Sequence, residues 1–198
     1  SANGLGNNGM FVGLTGGFGT LRAGRPVNTL YGNALLANGT KGVSLHDANT
    51  VLSGNATATA KTSNASCSVY VPNAVQYHSP RFGGVQVQVE YAPSESNAPG
   101  NKAGKAIGVR YDGGPLSASF VNYTGATAAA TTLKAVNQFA VSYDFSVAKV
   151  FFTIRDQGGL ASDQDNSYAL GVTAPVGPGS LYASFNNNEQ VGDDGRTI

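Results

Sequence analysis

Apolar and polar residues alternate with period two along most of this chain, most clearly over residues 73–92, NAVQYHSPRFGGVQVQVEYA. Val85, Val87, Val89 and Tyr91 alternate with Gln86, Gln88 and Glu90, which predicts a strand with one apolar and one polar face. Val75 and Tyr77 against Gln76 and His78 repeat the pattern upstream, and Pro80, Gly83 and Gly84 supply the turn between the two runs. The same hairpin recurs along the chain. Met10, Val12 and Leu14 share a face before a turn at Gly16 and Gly17, and Leu21 and Ala23 return opposite Thr20, Arg22 and Gly24. Ile107, Val109 and Tyr111 turn at Asp112, Gly113 and Gly114 into Leu116, Ala118 and Phe120. Phe139, Val141 and Tyr143 are answered by Val150, Phe152 and Ile154, whose other face carries Lys149, Thr153 and Arg155. Tyr168, Leu170 and Val172 turn through PVGPG into Leu181, Ala183 and Phe185, and NNNEQVGDDGRTI reads as a loop beginning another strand.

The expectation is about ten strands of about seven to nine residues, close to the length that a tilted strand needs to cross a bilayer. Tight turns at 16–18, 80–84, 112–114, 145–147 and 175–179 alternate with long polar loops at 26–72, 93–104, 124–135 and 157–165. Short turns at one end and long loops at the other are the asymmetry of outer-membrane barrels. Tyr77, Tyr91, Tyr111, Tyr123 and Tyr143 lie near turns or loops, as an interfacial girdle requires. Between Pro26 and Pro72 no period survives, and a stretch this long without regular structure suggests a functional loop. A short helix is predicted within it, around Leu45 to Leu52.

Composition agrees with a surface that is not solubilised by charge. Charged residues are 12% of the chain, against roughly 25% in ordinary soluble domains, and 27 glycines accompany abundant Asn, Ser and Thr. A net charge of +1 excludes a strongly basic footprint, so no nucleic-acid partner is expected. A single cysteine, Cys67, excludes an internal disulfide framework. No apolar run reaches the roughly 18 residues of a transmembrane helix, so membrane residence would require a closed barrel. The opening residues SANGLGNNGM lack the regions of a signal peptide, so the chain is expected to be mature or to start within a longer protein.

Four blocks in order, GFGTLRAGRPVN, NAVQYHSPRFGGVQVQVEYAPS, IGVRYDGGPLSASFVNY and SYALGVTAPVG, resemble the general trimeric porins of Gram-negative bacteria, of the beta-proteobacterial type. The resemblance runs over nearly all of residues 9–187. It implies an all-β fold, a transmembrane antiparallel β-barrel of about sixteen strands, of which about ten lie here. Residues 1–198 would then be one incomplete barrel domain, with 26–72 as a constriction loop folded inward. It also implies a homotrimer in the bacterial outer membrane, surrounded by lipid, passing small hydrophilic solutes and inorganic ions without a cofactor. Parity places Arg22, Gln76, His78, Gln86, Gln88, Glu90, Arg110, Lys149 and Arg155 opposite the apolar residues, on what the resemblance makes the lumen. Four cations there face one carboxylate, which suggests a mild preference for anions. Lys41, His46 and Asp47 are candidate constriction-loop residues. Relatives commonly carry arginines where this chain has Asn7 and Asn8, and where it has Tyr70, which argues against strong selectivity.

Other motif matches fail on context. GLGNNG at 4–9 fits a dinucleotide fingerprint but has no strand before it and no helix after it. GNKAGK at 100–105 is one residue short of a phosphate loop. Asn38, Asn55, Asn64 and Asn122 head sequons without meaning in a bacterial source. Ser44, His46 and Asp47 offer hydrolase residue types with no scaffold to orient them, so no enzyme is expected, and Cys67 reads as an inert thiol. The alternatives are a substrate-specific channel, which would need more luminal aromatics than Phe151, Tyr182 and Tyr123, and a surface β-sandwich adhesin.

Overall fold

A computed structural model describes residues 9–37, 69–94, 103–124, 135–156, 166–188 and 195–197. Among these residues eleven strands follow one another: β1 Met10–Gly16, β2 Gly19–Arg25, β3 Ala74–His78, β4 Val85–Ala92, β5 Gly104–Gly113, β6 Leu116–Thr124, β7 Val136–Asp144, β8 Lys149–Asp156, β9 Asn166–Val176, β10 Gly179–Asn188 and β11 Gly195–Thr197. They form a single antiparallel sheet in which each strand pairs only with its neighbours in sequence. Such a meander sends every odd-to-even connection to one end and every even-to-odd connection to the other. The tight turns and the long loops therefore segregate as the alternation of the sequence predicts. The fragment NNNEQVGDDGRTI does contribute the further strand, β11.

Register carries the parity of each strand around the sheet. Gly13, Arg22, Gln76, Glu90, Ala106, Tyr123 and Val136 are successive partners across seven strands and share one face. Val87, Val109, Phe120, Phe139, Ile154 and Tyr168 form a row on the other. The exposure of these faces is inverted relative to a water-soluble protein. Val87, Val109, Phe120, Phe139 and Ile154 are exposed, whereas Gln76, Gln88, Glu90, Gln138, Thr153 and Arg155 are buried. Towards the long-loop end the apolar face gives way to a polar ladder, in which Asn122 Nδ2 donates to Asn137 Oδ1 at 2.7 Å and Asn137 Nδ2 to Asp156 Oδ2 at 3.5 Å.

The long β2–β3 connection departs from the sequence expectation. Instead of opening as irregular chain it turns at once into helix α1, Thr29–Ala34, continued by a 3-10 turn, Leu35–Ala37. The helix predicted at 45–52 lies outside the described residues. Asn28 caps α1, its side chain accepting from Leu30 N at 2.7 Å. Six residues including a glycine are too few to hold a helix in isolation, so packing must stabilise it. The two arms of the connection meet at its base, where Asn28 N donates to Val69 O at 2.9 Å and Val71 N to Pro26 O at 3.0 Å.

One glycine ties β2 to β3 at the tight-turn end. Gly19 has φ +108, and a Cβ there would strike the carbonyl oxygen of His78. Gly19→Ala is expected to cost about 1–3 kcal/mol through backbone strain. The check is the temperature at which the folded band disappears on a detergent gel; an unchanged temperature would contradict this reading.

Candidate functional site

Among the described residues, the buried polar face of the sheet carries a helix that the strands alone do not explain. Helix α1 crosses β4 to β7, and the 3-10 turn continues onto β7 and β8. Room is made by β5, whose first three residues on this face are Gly104, Ala106 and Gly108. A Cβ on Gly108 would lie 3.5 Å from Thr29 Cγ2. Leu30 enters a small apolar cluster of Ala106, Val121, Tyr123 and Val136, so the wall-facing side of α1 is held partly by burial.

Polar groups fix the rest. Glu90 Oε2 accepts from Thr29 N at 2.9 Å, from Thr29 Oγ1 at 2.9 Å and from Gln76 Nε2 at 2.6 Å. Gln76 Nε2 also donates to Val27 O at 2.6 Å, and Asn33 Nδ2 donates to Gln88 Oε1 at 2.6 Å. Gln138 Nε2 donates to Leu30 O at 3.0 Å while its Oε1 accepts from Arg155 Nη2 at 2.6 Å and Nε at 3.1 Å. The first turn of α1 thus has a carboxylate at its positive end, and a buried guanidinium supports the amide that takes up one of its carbonyls.

The nine residues assigned by parity, Arg22, Gln76, His78, Gln86, Gln88, Glu90, Arg110, Lys149 and Arg155, all share this face by register. Their surroundings differ. Gln76, Gln88, Glu90 and Arg155 are buried, Arg155 at 0% exposure, so they hold the inward segment rather than meet solvent. Arg22, His78, Gln86, Arg110 and Lys149 are half-buried. Arg22 stacks 5.4 Å from the Phe11 ring and Lys149 5.6 Å from that of Phe151, while Gln86 Nε2 donates to Ser79 O at 3.1 Å. Lys41, His46, Asp47, Ser44 and Cys67 lie outside the described residues.

Two corrections follow. Tyr123 does not belong to an interfacial girdle: it is 1% exposed and turned inward against Leu30, because its register partner is Ala106 on the inner face. The count of one carboxylate against four cations also changes, since β5 runs on through Asp112 before turning and β7 through Asp144, opposite Lys149. Asp112 keeps the parity of Arg110 and accepts from its Nε at 2.7 Å and Nη2 at 3.2 Å, and it pairs with Arg81 on the β3–β4 turn as well. The sequence Asp-Gly-Gly reads as a turn and so conceals a strand residue. Gln138 was legible only as the polar neighbour of Phe139, with nothing local to mark it as a ligand for a helix carbonyl.

No helix among the described residues is long and apolar enough to cross a membrane, which leaves β-barrels untouched. The exposed apolar face has no second sheet against it among the described residues, as a sandwich would require.

Comparison with known proteins gives a consistent answer. The model of the Gram-negative porin family matches residues 1–197. Outer membrane porin protein 32 of Delftia acidovorans is 37% identical over 117 residues, covering 53% of this chain and 33% of that protein. Among solved structures, an anion-selective porin from Comamonas acidovorans superposes with a TM-score of 0.71 at 25% identity, over 91% of this chain and 56% of that one. A loop L8 deletion mutant of OmpT, an outer membrane protein of Vibrio cholerae, shares the fold, with a TM-score of 0.62 at 15% identity over 93% of this chain and 64% of that one. The chain therefore spans about a third of the Delftia relative and just over half of the Comamonas structure.

Proposed function

The chain belongs to the Gram-negative porin family, and from that premise we propose that it forms part of an outer-membrane channel for passive diffusion of small hydrophilic solutes and ions. The observation that carries this reading is the inverted sheet: an apolar face fit for lipid outside, and a polar face inside on which a helix from the β2–β3 connection is seated. The connection 26–72 acts as the constriction loop, with α1 as its fixed root. Water fills the lumen, transport needs no catalytic step or cofactor, and Arg22, Arg110 and Lys149 bias the pore mildly towards anions. The complete protein is a homotrimer, by analogy with the family.

Single-channel recording of the native full-length protein in a planar bilayer under a tenfold salt gradient tests this. Stable open channels closing in three equal steps, with a reversal potential of the anion-preferring sign, are expected. Folded protein that forms no channels would defeat the proposal; a reversal potential of zero would defeat the selectivity alone.

A further inference from the structure

At the tight-turn end of the polar face two arginines are organised around one acid. Asp112, the last inward-facing residue of β5, holds Arg110 in a two-point contact and also binds Arg81. Its backbone is tied to the same turn, Asp112 N donating to Gly84 O at 3.0 Å, so the turn that carries Arg81 is locked beside it. The group is open to water: the side chains of Arg81, Arg110 and Asp112 are 45%, 25% and 23% exposed. This separates it from Glu90 and Arg155, whose side chains are buried, Glu90 on a strand beneath α1 and Arg155 on one beneath the 3-10 turn.

We propose that Asp112 is a specificity-determining residue of the channel: it offsets one of the two arginine charges at this mouth of the lumen and so limits the preference for anions. The proposal rests on the porin reading. Among the described residues, the charges on this face or its turns that reach solvent are then Arg22, Arg81, Arg110 and Lys149 against Asp112 and Asp144, and of the two acids Asp112 is the one bound to arginines. Removing the single acid doubles the net charge of its own cluster from +1 to +2. At about 7 Å in water, one unit charge changes the local concentration of a monovalent ion by about threefold, in opposite directions for anions and cations, and the low-dielectric wall of a narrow lumen strengthens the effect. Asp112 also acts on geometry, because a carboxylate bound at two points fixes the guanidinium of Arg110 along the wall.

Reversal potentials of the native full-length protein and three variants in a salt gradient test the proposal. Asp112→Asn is expected to raise the anion-to-cation permeability ratio by up to about sevenfold. The double variant Asp112→Asn with Arg81→Gln restores the parent net charge and should bring the ratio back towards the parent value, which a merely structural role for Asp112 would not produce. Arg81→Gln alone, a change on an exposed turn, should lower the ratio, and keeps the test open if Asp112→Asn fails to fold. A folded Asp112→Asn channel with the parent ratio, or a folded Arg81→Gln channel with the parent ratio, overturns the proposal. If the parent protein itself forms no channel, the porin reading falls first and this inference with it.

Discussion

Replacing Glu90 by alanine will release the root of the inward segment from the wall and lower the stability of the protein by roughly 2–4 kcal/mol. Glu90 is 1% exposed, and one of its carboxylate oxygens accepts three hydrogen bonds, two from Thr29 and one from Gln76. Truncation leaves the Thr29 amide, the Thr29 hydroxyl and a Gln76 N–H facing a void. A buried donor left without a partner costs about 1–3 kcal/mol, and entry of water from the lumen offsets part of that sum. The loss concentrates on α1, which is too short to persist without its contacts. The expected functional result is a wider and noisier channel: higher single-channel conductance with frequent fluctuation, alongside a lower melting temperature of the folded band. Glu90→Gln keeps the shape and one acceptor oxygen, and should show a smaller change in both measurements. Parent-like conductance and melting in Glu90→Ala would show that Leu30 and its apolar pocket hold the helix unaided.

A second large effect is expected on the opposite face. Val89 points outward at 43% exposure, in a row with Leu14, Leu21, Tyr77 and Ile107. If lipid covers this row, Val89→Arg places a guanidinium within the apolar band, at a cost of about 2–4 kcal/mol near the midplane. If water covered it, the same substitution on an exposed strand would change stability by no more than about 0.5 kcal/mol. Folding yield into lipid vesicles, and the denaturant midpoint measured there, distinguish the two. Ser117→Arg is the matched control, since Ser117 faces inward opposite Asp112 and its replacement should leave the midpoint within about 1 kcal/mol. Equal tolerance of both arginines would remove the assignment of the outer face to lipid.

The two faces were legible in the sequence because strand parity is local. Side chains alternate along each strand whatever its neighbours do, so Val85, Val87, Val89 and Tyr91 announce one face before any partner is known. The turn chemistry of Gly16–Gly17, Gly83–Gly84 and Gly113–Gly114 was equally local, and with the loop lengths it determined the up-and-down order that the sheet displays. What occupies the polar face was not local at all. The six residues of α1 are too few to display a period, and their apolar signal reduces to Leu30 and Ala34. Thr29 is held by Glu90 from 61 positions away, and the Leu30 carbonyl by Gln138 from 108. Tyr123, which the sequence offers both to the girdle and to the lumen, becomes part of a helix socket because Ala106 stands beside it in register and Leu30 packs on both. Asp112 becomes a partner of two arginines only because the β3–β4 turn brings Arg81 back to β5. The sequence by itself determined which residues of each strand share a face, because alternation is a property of a single strand. The tertiary structure alone decided which inward residues hold the helix and which remain open to water, because that depends on contacts closed across the sheet.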